Sequence, residues 1–108
     1  MMISIRIVTT ALTIVMFVAI VVAMTTGDFS SEGSWILENP WGRMSLIDIY
    51  VGIALFAGWV FLREGSPWVA VLWLPAFVIL GNAGTALYAA IAAFRTDDIR
   101  TFLLGARA

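Results

Sequence analysis

The sequence predicts an all-α integral membrane fold, three transmembrane helices followed by a short amphipathic C-terminal helix. Three observations carry that prediction. Of 108 residues, 62% are hydrophobic and only 12% charged, with a mean hydropathy of +1.01. A water-soluble domain of this size would expose large apolar patches, whereas lipid solvates the same residues. Three apolar stretches approach or exceed bilayer length, separated by segments rich in Gly, Ser, Asn and Pro. The chain then closes on a helical pattern with a narrow apolar face. Its length suits a single transmembrane domain over residues 1–108.

Residues 3–24 form the first predicted span. After Arg6, residues 7–24 make an apolar run of 18, longer than the ~7–15 of a signal-peptide core and near the ~20 that cross a bilayer. The segment reads as a retained membrane helix. Thr9, Thr10 and Thr13 are its polar side chains past Arg6, and each hydroxyl can bond the carbonyl one turn earlier. Residues 25–45 read as an interfacial loop, with Trp35 and Trp41 suited to an aromatic belt. A short surface helix over residues 35–38 is expected to end before Asn39-Pro40.

The second predicted span is residues 46–62, about 25 Å long. Ser45 is its expected N-cap, with Asp48 three residues on, as in a capping box. Arg63 complements the dipole at its C-terminal end. In the following turn Gly65 is expected as a left-handed C-cap, Ser66 as the next N-cap and Pro67 as the first helical residue. Residues 68–94 form the third predicted span, about 40 Å against a hydrocarbon core of ~30 Å. Pro75 should kink it by removing the bond to the Val71 carbonyl, and Gly81-Asn82-Ala83-Gly84 should loosen its middle. In the tail, residues 95–108, Thr96 is the expected cap, Asp97 and Asp98 fill the first turn, and Ile99, Phe102 and Leu103 share one face.

All six basic residues are Arg, and the chain has no Cys and no His. That removes the ordinary zinc and copper ligands, the thiol nucleophile and the imidazole base. A net charge of −1 offers no footprint for nucleic acid. Three spans would set Arg6 and Arg63 on one face and Arg43, Arg95, Arg100 and Arg107 on the other. The count favours a cytoplasmic C-terminus, although Arg6 before the first span argues the opposite.

Few residues invite a functional reading. Asp48 near a span is a functional candidate by default, but helix capping explains it. Asn82 needs partners in hydrocarbon: an interhelical hydrogen bond of about 0.6–2 kcal/mol, or a ligand or neighbouring subunit. Gly81, Thr85, Ala89 and Ala93 recur every fourth residue, as do Ala54 and Gly58. Such spacing lets helix backbones approach, within the chain or against a partner. Trp73 and Phe77, beside Pro75, are weak candidates for an apolar cofactor (carotenoid or quinone) or lipid, with plain packing as the alternative. No ionisable group sits deep in a span, which argues against an ion-coupled pump. The small multidrug exporters have a similar length, but four spans and an embedded Glu in the first.

Asn39-Pro40-Trp41-Gly42, Asp48-Ile49-Tyr50-Val51-Gly52, Arg63-Glu64 and Leu80-Gly81-Asn82 to Tyr88 resemble a family of small bacterial membrane proteins of unknown function. Phe102-Leu103-Leu104-Gly105 extends the pattern. The resemblance covers about half the chain and implies a three-span fold in a bacterial inner membrane, with no activity attached. The expected function is therefore non-enzymatic: an accessory or structural subunit packed against a larger membrane complex, in contact with lipid and other membrane protein subunits. The alternatives are a small homo-oligomeric transporter or channel, with Asn82, Thr85 and Asp48 on a polar path, or a binder of an apolar cofactor or lipid.

Overall fold

A computed structural model describes residues 1–108 and is all-α. The helices are α1 (Met2–Thr26), α2 (Phe29–Glu38), α3 (Pro40–Arg63), α4 (Pro67–Leu80), α5 (Asn82–Arg95) and α6 (Ile99–Leu104), with a 3₁₀ turn at Gly105–Arg107. Two of them, α1 and α3, are long and apolar enough to cross a membrane, with windows of mean hydropathy 2.7 and 2.0. Two of the three expected back-bonds form in α1: the Thr9 and Thr13 hydroxyls donate to the Ile5 and Thr9 carbonyls, both at 2.7 Å, whereas the buried Thr10 hydroxyl has no partner. The interfacial loop is more ordered than expected, because α2 is N-capped by Asp28, whose carboxylate accepts the Ser30 N–H at 3.1 Å.

The capping box at Ser45 and Asp48 is not formed. Pro40 at the first helical position has φ already set for a helix, so α3 starts there behind an extended Asn39. Ser45 lies inside the helix and donates to the Trp41 carbonyl at 2.9 Å. Asp48 falls in the third turn, exposed and unpaired. Gly65 is not left-handed either, since positive φ occurs only at Gly81 and Gly105. α3 ends on an extended Glu64, whose N–H bonds the Val60 carbonyl at 2.9 Å. Pro67 opens α4 as expected; Ser66 occupies the N-cap position but makes no side-chain cap.

The largest departure concerns residues 68–94. They form two helices that fold back on one another at Gly81, not one kinked helix. A continuous helix would hold Trp73 and Tyr88 about 22 Å apart; their ring centroids are 5.2 Å apart. Phe77 likewise meets Tyr88 at 6.2 Å. The helix runs through Pro75, and the reversal comes where the backbone adopts φ 61, ψ −132. That region is open to glycine almost alone. Gly84 is the second requirement: a Cβ there would lie 2.7 Å from the Ala76 carbonyl oxygen. At 14 residues each, α4 and α5 are about 21 Å long.

α3 packs against α4, with Phe56 edge-on to Phe77 at 5.5 Å. α1 lies antiparallel along α5. Its covered positions, Met2, Ile5, Thr9, Thr13, Met16 and Ile20, recur at helical spacing, and Arg6 near its start bonds Ala93 near the end of α5. Buried Ala83, Ala90 and Ala93 make that approach close. The tail returns to the end of α3, where Arg107 Nε donates to the Leu62 carbonyl at 2.7 Å. Asp98, not Thr96, caps α6, by accepting the Thr101 N–H at 3.3 Å. Thr96 is buried at the end of α5, with its hydroxyl on the Ala92 carbonyl at 3.2 Å.

The hairpin changes the distribution of charge. Arg6, Arg63, Arg95, Arg100 and Arg107 all gather at one end of the bundle, with Glu64, Asp97 and Asp98. Arg43 stands alone at the other, among Asp28, Glu32 and Glu38.

Candidate functional site

The densest polar arrangement lies at the base of the hairpin. Arg63 closes α3 and is only 8% exposed. Its Nε donates to the Phe102 carbonyl at 2.7 Å, and its Nη1 to Tyr88 Oη at 3.2 Å and Glu64 Oε1 at 3.4 Å. Tyr88 Oη in turn donates to Glu64 Oε1 at 2.5 Å. A buried guanidinium is tolerable only with such partners, because desolvating an unpaired charge costs several kcal/mol. Around the node stands an aromatic wall. Tyr88 meets Trp73, Trp59 and Phe56 edge-on at 5.2, 5.9 and 5.9 Å, geometries favoured by the ring quadrupole. Trp59 also donates through Nε1 to the Leu103 carbonyl at 2.8 Å. The node therefore joins the end of α3, the hairpin base and the tail.

Arg6 performs a parallel task for α1. Its Nε donates to the Ala93 carbonyl at 2.9 Å and its Nη2 to that of Thr96 at 2.7 Å. A cation thus satisfies carbonyls at the C-terminus of α5, where the helix dipole is negative. Its 3.5 Å ion pair with the fully exposed Asp97 adds little.

The predicted site residues divide between the hairpin and open surface. Gly81 and Asn82 form the hairpin tip. Asn82 is exposed and makes no interhelical bond; its carbonyl and Oδ1 accept from Thr85 Oγ1 at 3.1 and 3.4 Å. No backbone N–H beyond Leu80 returns to α4. Tyr50 Oη reaches the Val78 carbonyl from α3 at 3.3 Å, so the tip sits against the eleventh residue of α3. The carbonyls of Ile79 and Leu80 remain open. Thr85 and Ala89 are half-buried on α5, whereas the closest approach to α4 is at Gly84. Ala54 and Gly58 are both exposed on α3, and a Cβ on Gly58 would meet no atom within 4 Å.

Trp73 and Phe77 stack on each other at 5.9 Å, and Phe77 is 0% exposed. They belong to the aromatic core and leave no cleft between them. Outside the core, α1 buries none of its most apolar window, and Leu55, Leu62 and Val51 project freely from α3. Nowhere do three His, Cys, Asp or Glu side chains gather as metal ligands. Comparisons with protein-family models, curated proteins and solved structures found no match for the chain.

Proposed function

We propose that the chain is a multi-pass protein of a bacterial inner membrane in which α1 and α3 cross the bilayer and the α4–α5 hairpin enters and returns at the arginine-rich end. We further propose that it acts without catalysis, as an accessory subunit packed against a larger membrane complex. The hairpin tip carries the reading. It lies about 20 Å from Arg63 along α3, partway through a helix of bilayer length, and it presents open carbonyls and the exposed Asn82. Hydrocarbon tolerates such a turn only where protein or water covers it. Within the chain Tyr50 meets the tip from one side, while Ile79 and Asn82 stay exposed, and that open side is the one we assign to a partner. The free Ala54 and Gly58 on α3 support the same view, since small residues at this spacing admit a neighbouring helix. Five arginines against one at the two ends favour a cytoplasmic arginine-rich end, with both termini inside. The exposed Asn82 also favours a second reading, a homo-oligomer with water at the tip.

Because the chain has no Cys, single-cysteine labelling from one side of the membrane tests the topology directly. Ser66→Cys and Ala108→Cys should react from one side and Ser31→Cys from the other. A single continuous third span would put Ala108 with Ser31. Native mass spectrometry after gentle extraction tests the partner. Larger subunits in fixed ratio, lost in Gly58→Leu, are expected; a lone monomer or a symmetric homo-oligomer defeats the accessory role.

A further inference from the structure

We propose that a notch beside the Arg63 node seats a singly charged phosphate group, carried by an anionic membrane phospholipid. The notch has a volume of about 40 Å³ and lies between Arg63, Glu64, Trp73, Tyr88 and Arg95, with Val69 and Ile91 at its apolar rim. This accepts the oxygens of one phosphate, since a single water needs ~10–15 Å³. The notch holds the phosphate alone, so the rest of its carrier must lie outside.

The donors around the notch are unspent. Arg63 is 8% exposed, and its Nη2 makes no hydrogen bond although its Nε and Nη1 do. Arg95 has no hydrogen bond and no carboxylate within ion-pair distance. The Trp73 indole N–H has no acceptor in the chain. Glu64, the acidic residue of the lining, is engaged by Tyr88 and Arg63. Two guanidiniums against one carboxylate leave a single positive charge, which suits a phosphodiester monoanion. Guanidinium pairs phosphate oxygens with charge-assisted, directional bonds.

Position identifies the carrier. The notch opens at the end that holds five of the six arginines, and basic pockets between helices on the cytoplasmic side take anionic headgroups. From its rim, the exposed Trp68 and Leu72 continue an apolar track along α4, where acyl chains can lie. Only the carrier depends on the membrane reading; the phosphate seat depends on the side chains alone.

The test is thermal unfolding of the detergent-solubilised chain titrated with phosphatidylglycerol, phosphatidylcholine or inorganic phosphate. A ligand that binds only the folded state raises the midpoint. Phosphatidylglycerol should raise it more than phosphatidylcholine. Arg95→Gln should weaken the apparent affinity about tenfold, the effect of losing one charge-assisted hydrogen bond. Arg100→Gln, an equal charge change away from the notch, should stay within about twofold. Equal loss in both variants, or no preference for the anionic lipid or for phosphate, would overturn the proposal. If inorganic phosphate alone stabilises, and does so through Arg95, the seat stands and its occupant is a soluble phosphate.

Discussion

Substituting Ala for Gly84 tests the hairpin through a single methyl group. The added Cβ would stand 2.7 Å from the Ala76 oxygen, 3.0 Å from the Ala76 carbonyl carbon and 3.3 Å from the Phe77 nitrogen. All three are backbone atoms of α4, so no side-chain rotation relieves the overlap. Ordinary contact begins at about 3.5 Å, so the helices must separate by several tenths of an ångström. Overpacking of this kind costs about 1–3 kcal/mol. Helix propensity works the other way, because Ala is favoured over Gly in a helix interior by about 0.5–1 kcal/mol. Gly58→Ala isolates the clash: Gly58 is also helical, and a Cβ there meets nothing within 4 Å. The propensity gains cancel between the two variants, so Gly84→Ala should unfold about 1–3 kcal/mol more easily than Gly58→Ala. Denaturant titration in micelles, followed by circular dichroism, measures the difference. If Gly84→Ala proves as stable as Gly58→Ala, then α4 and α5 do not touch at this level and the hairpin is wrong.

Two further outcomes follow from the base of the bundle. Tyr88→Phe removes the hydroxyl that donates to Glu64 and accepts from Arg63; it should destabilise by about 1–3 kcal/mol and speed amide exchange in α6, and unchanged exchange would separate the node from the tail. The second concerns pH. Hydrogen bonds from Thr101 hold the Asp98 carboxyl below its ordinary value, so its stabilisation of the folded tail is complete above the usual carboxylate range. As pH falls through the depressed value, protonation removes the cap; α6 amides should lose protection there, and Asp98→Asn should flatten that dependence.

Much of the helical framework was legible from composition and apolar run length, which α1 and α3 follow closely. The start of α3 was misplaced because Ser45 and Asp48 match a capping pattern, while Pro40, already biased to helical φ, extends the helix past them. The excess length of residues 68–94 over a bilayer was a real signal, and Gly81 with Gly84 marked the place. Yet periodicity cannot tell a long helix from two short ones, since the helical pattern of small and apolar residues runs on across Gly81. Pro75 drew attention instead, although a proline costs one backbone bond while Gly81 reverses the chain. The node was hidden for another reason. Arg63, Glu64 and Tyr88 meet only because the hairpin closes, and Phe102 and Leu103 take part through main-chain carbonyls that carry no side-chain signature.

That use of carbonyls orders the assembly of the protein in time. Arg63 emerges from the ribosome before Tyr88, and Tyr88 before Phe102. Until the hairpin has turned at Gly81 and the tail has followed, the guanidinium has Glu64 as its one polar neighbour in the node and stays in water at the bundle's end. Its desolvation requires Tyr88 and Phe102 to have come back to the end of α3. A hairpin that ran on to the far side would leave Arg63 hydrated and Phe102 out of reach, so the node verifies the path taken by everything made after it.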